Sequence, residues 1–147
     1  NAALGNKDNE FIKFSNHLSD DLNSIILGKE EGISVKLCKL DSILMEEKID
    51  FIKVDVEGFE FEVFKGSERL LKRTSCIMFE SWDDHYKKYD TDSAEVICYL
   101  KNFGFEVYKW SEDTILKLET GYRSLNCENL LAIKNFQDFQ ARMKLNN

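Results

Sequence analysis

Two apolar segments, separated by one amphipathic segment of helical length, constrain the fold of this chain most strongly. The segments IDFIKVDV, from residue 49, and SCIMFES, from residue 75, are typical of buried strands. Between them, GFEFEVFKGSERLLKR places Phe59, Val63 and Phe64 on one face of a helix, with Glu60 and Glu62 directed elsewhere. Strands joined by helices of this length pair in parallel, so we predict an α/β fold.

The carboxyl-terminal part continues this alternation and then departs from it. DSAEVICYLKNFGF predicts a helix with Asp92 as its N-cap and Gly104 as its stop. FEVYKW and NLLAIKN predict two further strands, separated by a polar stretch without a helix. We therefore expect these two strands to be antiparallel neighbours, and the tail FQDFQARMKLNN to add one helical turn.

The first 32 residues are polar and rich in loops, and they give weaker signals. Residues 11–14 favour a short strand. Residues 22–26 have apolar side chains at helical spacing, with Ser19 or Asp20 as a cap. Residues 33–37 alternate between apolar and polar side chains, which is typical of an edge strand. A short helix is then expected around LDSILMEEK.

Net charge and the length of the apolar runs limit the classes of function that the chain can have. The net charge of −7 and the pI of about 4.9 disfavour binding to nucleic acid, because an acidic surface repels phosphates. No apolar run approaches the roughly 20 residues that span a bilayer, and the chain does not begin like a signal peptide. We therefore expect a cytoplasmic protein of 147 residues that binds no membrane, with one domain.

The cysteines form no CxxC pair, and each lies in or beside an apolar run. We expect them to be reduced and mostly buried. They are Cys38, Cys76, Cys98 and Cys127.

Acidic side chains stand where two of the predicted strands end. Asp55 and Glu57 close the first strand and precede Gly58, while Glu80 closes the second. The carboxyl ends of parallel strands share one edge of a sheet, where ligands bind in open α/β folds. Two structural alternatives remain: Asp55 caps the next helix with Glu57 near its positive end, or Lys53 pairs with one of them.

The stretch FIKVDVEGFEFEVFKGSERLL resembles the signature of the FkbM-type methyltransferases. That pattern is close to apolar-apolar-Lys-apolar-Asp-apolar-Glu-Gly, followed by a helix that ends in Lys-Gly. VKLCKLDSIL upstream, and IMFES and NLLAIK downstream, extend the likeness over about residues 33–134. The matching positions of the signature are Lys53, Asp55, Glu57, Gly58, Glu60, Lys65 and Gly66.

The resemblance implies a Rossmann-like class I methyltransferase sheet and S-adenosylmethionine as the cofactor. It also implies methyl transfer to a hydroxyl of a sugar or secondary metabolite, so a small molecule or glycan is the expected acceptor. The strand that ends in Asp55 would be the fourth of the family's sheet. Its end would border the methionine part of the cofactor, and Asp55 is therefore the expected cofactor-binding residue.

One element of such enzymes is missing from the sequence. They hold the cofactor with a glycine-rich turn after the first strand. Here no GxG turn follows an apolar strand, and Gly28 and Gly32 lie in a polar loop. With Asn1 as the first residue, this predicts a single partial domain over residues 1–147, the carboxyl-terminal half of a methyltransferase lacking its first strands. Its open apolar edge offers a route to a homo-oligomer.

We assign three residues to catalysis. Glu57 and Glu80 are candidate bases that position the acceptor hydroxyl or remove its proton. His85 follows Glu80 by five residues, and an imidazole ordinarily titrates near neutral pH. An uninvolved surface histidine is the alternative. We predict no required metal, although a divalent ion held by Asp55, Glu57 and Glu80 is a second interpretation.

Further alternatives concern the neighbouring aromatic residues and the whole chain. Trp82, Tyr86 and Tyr89 either stack on the acceptor or anchor their loop in the core. The chain itself is either an enzyme or a truncated, non-catalytic half-domain that binds a protein through its open edge. A metal-dependent hydrolase that uses the same carboxylates is a third interpretation, with His85 as the available histidine.

Overall fold

The computed structural model describes residues 2–16, 23–28, 31–44, 48–111 and 114–144. These residues form a mixed α/β structure with two sheets, which confirms the α/β prediction. The first sheet has four strands in the order β1-β4-β2-β3, where β1 pairs with β4 in parallel and the other pairs are antiparallel. Its strands are β1 (Ala2–Leu4), β2 (Phe11–Phe14), β3 (Ile25–Ile26) and β4 (Ile33–Cys38).

The structure confirms the predicted strand over residues 11–14 and corrects two predictions about the first sheet. Ile25–Ile26 form a strand rather than part of a helix, because they pair with Phe14 and Lys13 in antiparallel register. The caps proposed for that helix, Ser19 and Asp20, lie outside the described residues. Strand β4 lies inside the sheet and not at its edge, because the three-residue strand β1 pairs along its other side.

The second sheet contains the strands that the sequence marked most clearly. Its order is β5-β6-β9-β7-β8, and β5 and β6 pair in parallel whereas the other pairs are antiparallel. The predicted antiparallel pairing of the last two strands, β7 and β9, is confirmed. One strand in the intervening polar stretch was not predicted. The strands are β5 (Ile49–Val54), β6 (Thr74–Ser81), β7 (Glu106–Ser111), β8 (Thr114–Lys117) and β9 (Glu128–Ile133).

Short helices connect these strands and pack on both faces of the second sheet, since Phe136 and Phe139 of the last helix lie against the face opposite to the main core. The Asp92 side chain caps the longest of them by accepting from the Glu95 N–H, as predicted. Ser67 precedes the helix of residues 68–73 but does not cap it, because its hydroxyl donates to the Val63 carbonyl within the preceding helix. The helices are α1 (Leu40–Ile43), α2 (Glu60–Lys65), α3 (Glu68–Arg73), α4 (Asp83–Tyr86), α5 (Ser93–Lys101) and α6 (Phe136–Met143), and a 3₁₀ turn spans Lys87–Tyr89.

The core lies between the second sheet and its helices. Strand β6 buries Ile77 and Phe79 completely, and the Phe79 ring meets the Phe64 ring edge-on with centroids 5.6 Å apart. Helix α5 contributes the face that its spacing predicted, including Val96 and Leu100. Strand β6 therefore contributes fully buried side chains against which the neighbouring helices pack.

Strand β5 is less buried than its sequence indicated. It pairs only with β6 among the described residues, so it is the edge of the sheet. Phe51 is 52% exposed, while Val54 is buried. The apolar run predicted a strand covered on both faces; the described residues leave one face of β5 and its outer edge open.

The structure tests two further expectations, one about the burial of the cysteines and one about membrane-spanning helices. None of the cysteines forms a disulfide, but Cys98 and Cys127 are exposed, so the expectation of mostly buried thiols was wrong. Cys98 lies on the outer face of α5, because Val96, Ile97 and Leu100 occupy the inner face. Within the described residues, no helix has the length and apolar character needed to cross a membrane.

Buried Asp83 joins three separate parts of the chain. Its carboxylate accepts from the Ser93 N–H at 2.9 Å and from the Arg123 guanidinium at 2.6 Å. Burial works against its charge, but these bonds and the Arg123 charge hold the pKa of Asp83 below its usual value. The carboxylate thus fixes the start of α5 and the loop before β9 against α4.

We expect Asp83→Ala to lower the free energy of unfolding by about 1–3 kcal/mol, because the buried Ser93 N–H loses its acceptor. The matched control is Asp84→Ala, which removes only an exposed ion pair with Lys87 and should cost less than about 1 kcal/mol. Urea unfolding of both variants checks this. Equal losses would show that the Asp83 contacts do not tie these segments together.

Candidate active site

The carboxyl ends of β5 and β6 lie side by side, as the parallel pairing predicted. Val54, the last residue of β5, is opposite Phe79 on β6. Asp55 and Glu57 therefore leave the sheet at the same rim as Glu80. The arrangement follows from parallel register, since adjacent strands running in one direction end at one edge.

The turn after β5 has an unusual backbone that directs Glu57 toward the chain after β6. Glu57 has a φ of 55° and Gly58 a φ of 94°, both in the left-handed region. A Cβ atom at Gly58 would lie 2.8 Å from the His85 carbonyl oxygen and 2.9 Å from the His85 Cβ. Glycine is thus required here both by its conformation and by the close approach of two backbones.

This contact brings the three predicted catalytic residues together. The His85 Nδ1 atom lies 3.4 Å from a Glu57 carboxylate oxygen and 3.6 Å from a Glu80 carboxylate oxygen. The Nδ1 atom is buried and has no hydrogen-bond partner among the described residues. We call Glu57, Glu80 and His85 the strand-end cluster. One atom from each residue lies within 4.8 Å of the others, a separation at which the cluster is able to hold a metal ion.

Asp55 lies beside the cluster and not within it. Its carboxylate pairs with Lys53 at 2.8 Å, and this hydrogen bond and charge raise the pKa of Lys53. Of the two structural alternatives, the structure therefore contains the Lys53 pair, and helix α2 begins after Phe59 without a cap from Asp55. The sequence proposed Asp55, Glu57 and Glu80 as ligands of an ion. In the structure, His85 takes the place of Asp55 beside Glu57 and Glu80.

Glu60 is the site residue that sequence reasoning placed wrongly. It was expected to point away from the core, but its side chain is buried with 1% exposure. One carboxylate oxygen accepts from the backbone N–H groups of Val56, at 3.0 Å, and Gly58, at 3.3 Å. Glu60 therefore holds the turn that carries Glu57.

The buried position of Glu60 changes its acidity. Burial raises its pKa to about 7, and the charge of Glu80 adds to the effect, although bonds from backbone N–H groups oppose it. The second carboxylate oxygen is buried, and no described residue forms a hydrogen bond with it. The only sequence signal that pointed to Glu60 was its place in the Asp-x-Glu-Gly-x-Glu stretch.

The aromatic residues near the cluster have different roles. Tyr86 is fully buried and donates its hydroxyl to the Glu80 carbonyl at 3.1 Å, so it anchors the loop and is not free to stack on an acceptor. Trp82 packs on the His85 ring with centroids 4.4 Å apart. Tyr89 meets Phe59 edge-on at 5.1 Å, which joins the loop to the beginning of α2.

Cys127 adjoins the cluster and was not predicted to do so. The pairing of Ser81 with Glu128 brings the residue before β9 to the end of β6. Partial burial raises the pKa of the Cys127 thiol to about 11, and a hydrogen bond with Glu80 and the nearby carboxylates contribute. The thiol is therefore protonated at neutral pH and is not a thiolate nucleophile.

A cavity of about 600 Å³ opens beside the strand-end cluster, a size suitable for a small ligand. Asp55, Val56, Glu57 and Phe59 form one wall, and strands of the first sheet form the other. A second cavity of about 680 Å³ lies at the opposite ends of β5 and β6. It contains no residue of the cluster, so we place the candidate site at the smaller cavity.

The comparisons with known proteins agree with the signature stretch. Residues 2–107 match the model of the methyltransferase FkbM domain. The chain belongs to the FkbM methyltransferase family. The match contains the whole strand-end cluster, and it begins earlier and ends sooner than the likeness over about residues 33–134. No curated protein and no solved structure gives a significant match.

The close approach at Gly58 predicts that this FkbM domain does not tolerate a side chain there. We expect Gly58→Ala to lower the free energy of unfolding by about 2–5 kcal/mol, from left-handed strain and overlap with the His85 backbone. Gly104→Ala is the matched control, because Gly104 also has a positive φ but has no atoms near its Cβ position. It should cost only about 1–2 kcal/mol. Equal losses would contradict the close contact.

Glu60 predicts a pH dependence of stability. Its pKa is about 7 in the folded chain against an ordinary value of 4.5. Between these values the folded chain holds a proton that the unfolded chain has lost, so stability falls as pH rises, by up to about 3 kcal/mol. Glu60→Gln should remove this contribution. Urea unfolding of both proteins from pH 5 to 8 tests this, and parallel curves would show that Glu60 does not titrate in that range.

Proposed function

We propose that the chain is part of an S-adenosylmethionine-dependent O-methyltransferase with a small-molecule or glycan acceptor. One observation carries the proposal: the match to the FkbM methyltransferase domain includes Asp55, Glu57, Glu80 and His85. The parallel pair β5 and β6, with helices between them and antiparallel strands beyond, fits the Rossmann-like half-sheet that the family resemblance implies.

The geometry gives these residues separate roles in methyl transfer. Glu57 lines the cavity and also reaches His85, so it is suited to contact an acceptor hydroxyl. Asp55 lies on the same wall, where it would bind the cationic methionine end of the cofactor. A ligand that binds beside the carboxylates of Asp55 and Glu57 gains electrostatic energy if it is positively charged, so this wall favours a sulfonium over a neutral molecule. Trp82 packs against the His85 ring and helps to fix its position.

The reaction would be an in-line displacement at the sulfonium methyl group. The cofactor would supply the activated methyl group to the acceptor oxygen and would leave as a neutral thioether that keeps the electron pair of the broken carbon–sulfur bond. Glu57 or Glu80 would take the hydroxyl proton. A hydroxyl is a weak nucleophile, so the alignment of its oxygen and the removal of its proton are what the protein must supply.

Glu57→Gln tests this assignment. The amide retains the size of the side chain but cannot take a proton, so we expect turnover to fall by about 10²–10⁴-fold with an unchanged urea midpoint. Transfer of a labelled methyl group from S-adenosylmethionine to a panel of sugars and small alcohols measures it. Glu106→Gln is the control, since Glu106 lies at the opposite end of the sheet, where its partner Ile133 pairs with Cys76.

Two results would contradict the proposal in different ways. Equal turnover of the Glu57→Gln variant and the unmodified chain would remove Glu57 from the mechanism. The absence of both cofactor binding and methyl transfer would favour a protein-binding half-domain. The open edge of β5, with Phe51 exposed, is the observation that supports this second function.

A further inference from the structure

We infer that the strand-end cluster of Glu57, Glu80 and His85 binds a divalent first-row transition cation such as Mn²⁺. The sequence predicted that the chain requires no metal, so this inference goes beyond that prediction. It also changes the ligand set from that of the sequence-based alternative, because Lys53 engages Asp55 and His85 takes its place.

The spacing of the ligand atoms is the first argument. Ligands about 2.1 Å from a metal ion lie about 3.0 Å apart at octahedral angles and about 3.4 Å apart at tetrahedral angles. The His85 Nδ1 atom lies 3.4 Å from a Glu57 oxygen and 3.6 Å from a Glu80 oxygen. These distances exceed the usual length of an N–H to oxygen hydrogen bond, about 2.9 Å. They suit three ligands around a shared ion better than a direct contact between the side chains.

The state of the histidine nitrogen is the second argument. Within the part of the chain that the structure describes, the buried Nδ1 atom has no hydrogen-bond partner, although it faces two carboxylates. A buried polar atom without a partner is costly, so its position calls for an explanation. A cation between the three side chains satisfies this atom and also relieves the repulsion between Glu57 and Glu80.

The ligand types indicate the class of ion. Two carboxylates balance the charge of a divalent cation when the imidazole is neutral. Carboxylates suit Mg²⁺ and Mn²⁺, whereas an imidazole favours transition metals over Mg²⁺ and Ca²⁺. Cys127 is not part of the proposed set, because the ligand atoms within 4.8 Å of one another are those of Glu57, Glu80 and His85. Three protein ligands leave coordination positions open, as in catalytic metal sites, and one of the ligands, Glu57, also lines the adjoining cavity.

The open positions suggest what the ion does. A cation there would polarise the acceptor hydroxyl and stabilise the negative charge that develops on its oxygen. Each glutamate would hold the ion through one carboxylate oxygen and keep the other for the hydroxyl proton. This role rests on the proposed methyl transfer. Binding of the ion does not rest on methyl transfer, because the three side chains that bind it are in place without cofactor or acceptor.

Titration of the chain with Mn²⁺, followed by the electron paramagnetic resonance signal of the free ion, tests the site. The chain is first treated with EDTA and dialysed, and neither cofactor nor acceptor is added. We expect one bound ion per chain. Glu57→Gln, Glu80→Gln and His85→Asn should each weaken binding by at least about tenfold, since losing even an outer-shell partner costs about 10–100-fold.

Glu106→Gln is the matched control for charge, because it removes one carboxylate at the far end of the sheet. It should leave Mn²⁺ affinity unchanged. Far-ultraviolet circular dichroism and the urea midpoint establish that each variant is folded. Absence of binding would overturn the proposal. Equal weakening by Glu106→Gln and the cluster variants would also overturn it, because the ion would then be held diffusely by the acidic surface.

Methyl transfer with and without EDTA separates this proposal from the proposed function. Transfer that continues unchanged in EDTA, together with no Mn²⁺ binding, would reject the ion and retain the methyltransferase. Binding at the cluster with no methyl transfer under any condition would retain the ion and reject the methyltransferase.

Discussion

The close contact between Gly58 and the backbone of His85 is the constraint on which the candidate site depends. The space at Gly58 admits no side chain, and its φ of 94° is one that other residues avoid. Because the two backbones meet there, the end of β5 and the segment after β6 share one rim. The cluster of Glu57, Glu80 and His85 follows from this contact, and the cavity beside it opens along the same turn.

Buried Glu60 shows how the site trades stability for geometry. Its carboxylate holds the Val56 and Gly58 N–H groups, yet burial near Glu80 raises its pKa to about 7. A carboxylate in this position costs stability when it is ionised. The same turn also contains Glu57 in a left-handed conformation. Unfavourable features concentrated in one turn are typical of functional sites, where surrounding packing maintains them.

Much of this arrangement was predictable, for physical reasons that differ between residues. Side-chain periodicity and parallel pairing placed Asp55, Glu57 and Glu80 at one rim, and the family signature selected the same stretch. The inward direction of Glu60 was not predictable, because the left-handed turn before α2 sets the phase of that short helix. Cys127 reaches Glu80 only through the register of β6 and β9, which the sequence does not encode locally. The same holds for β3, whose identity depends on pairing with β2.

The nuclear Overhauser spectrum of the isotopically labelled chain tests the central contact most directly. The account predicts a strong cross-peak between an α-proton of Gly58 and the β-protons of His85, since a Cβ at Gly58 would lie 2.9 Å from the His85 Cβ. The two residues are distant in sequence, so such a peak has no local origin. Cross-strand peaks between β5 and β6 without the Gly58–His85 peak would show that the sheet forms but that the site is not assembled as described.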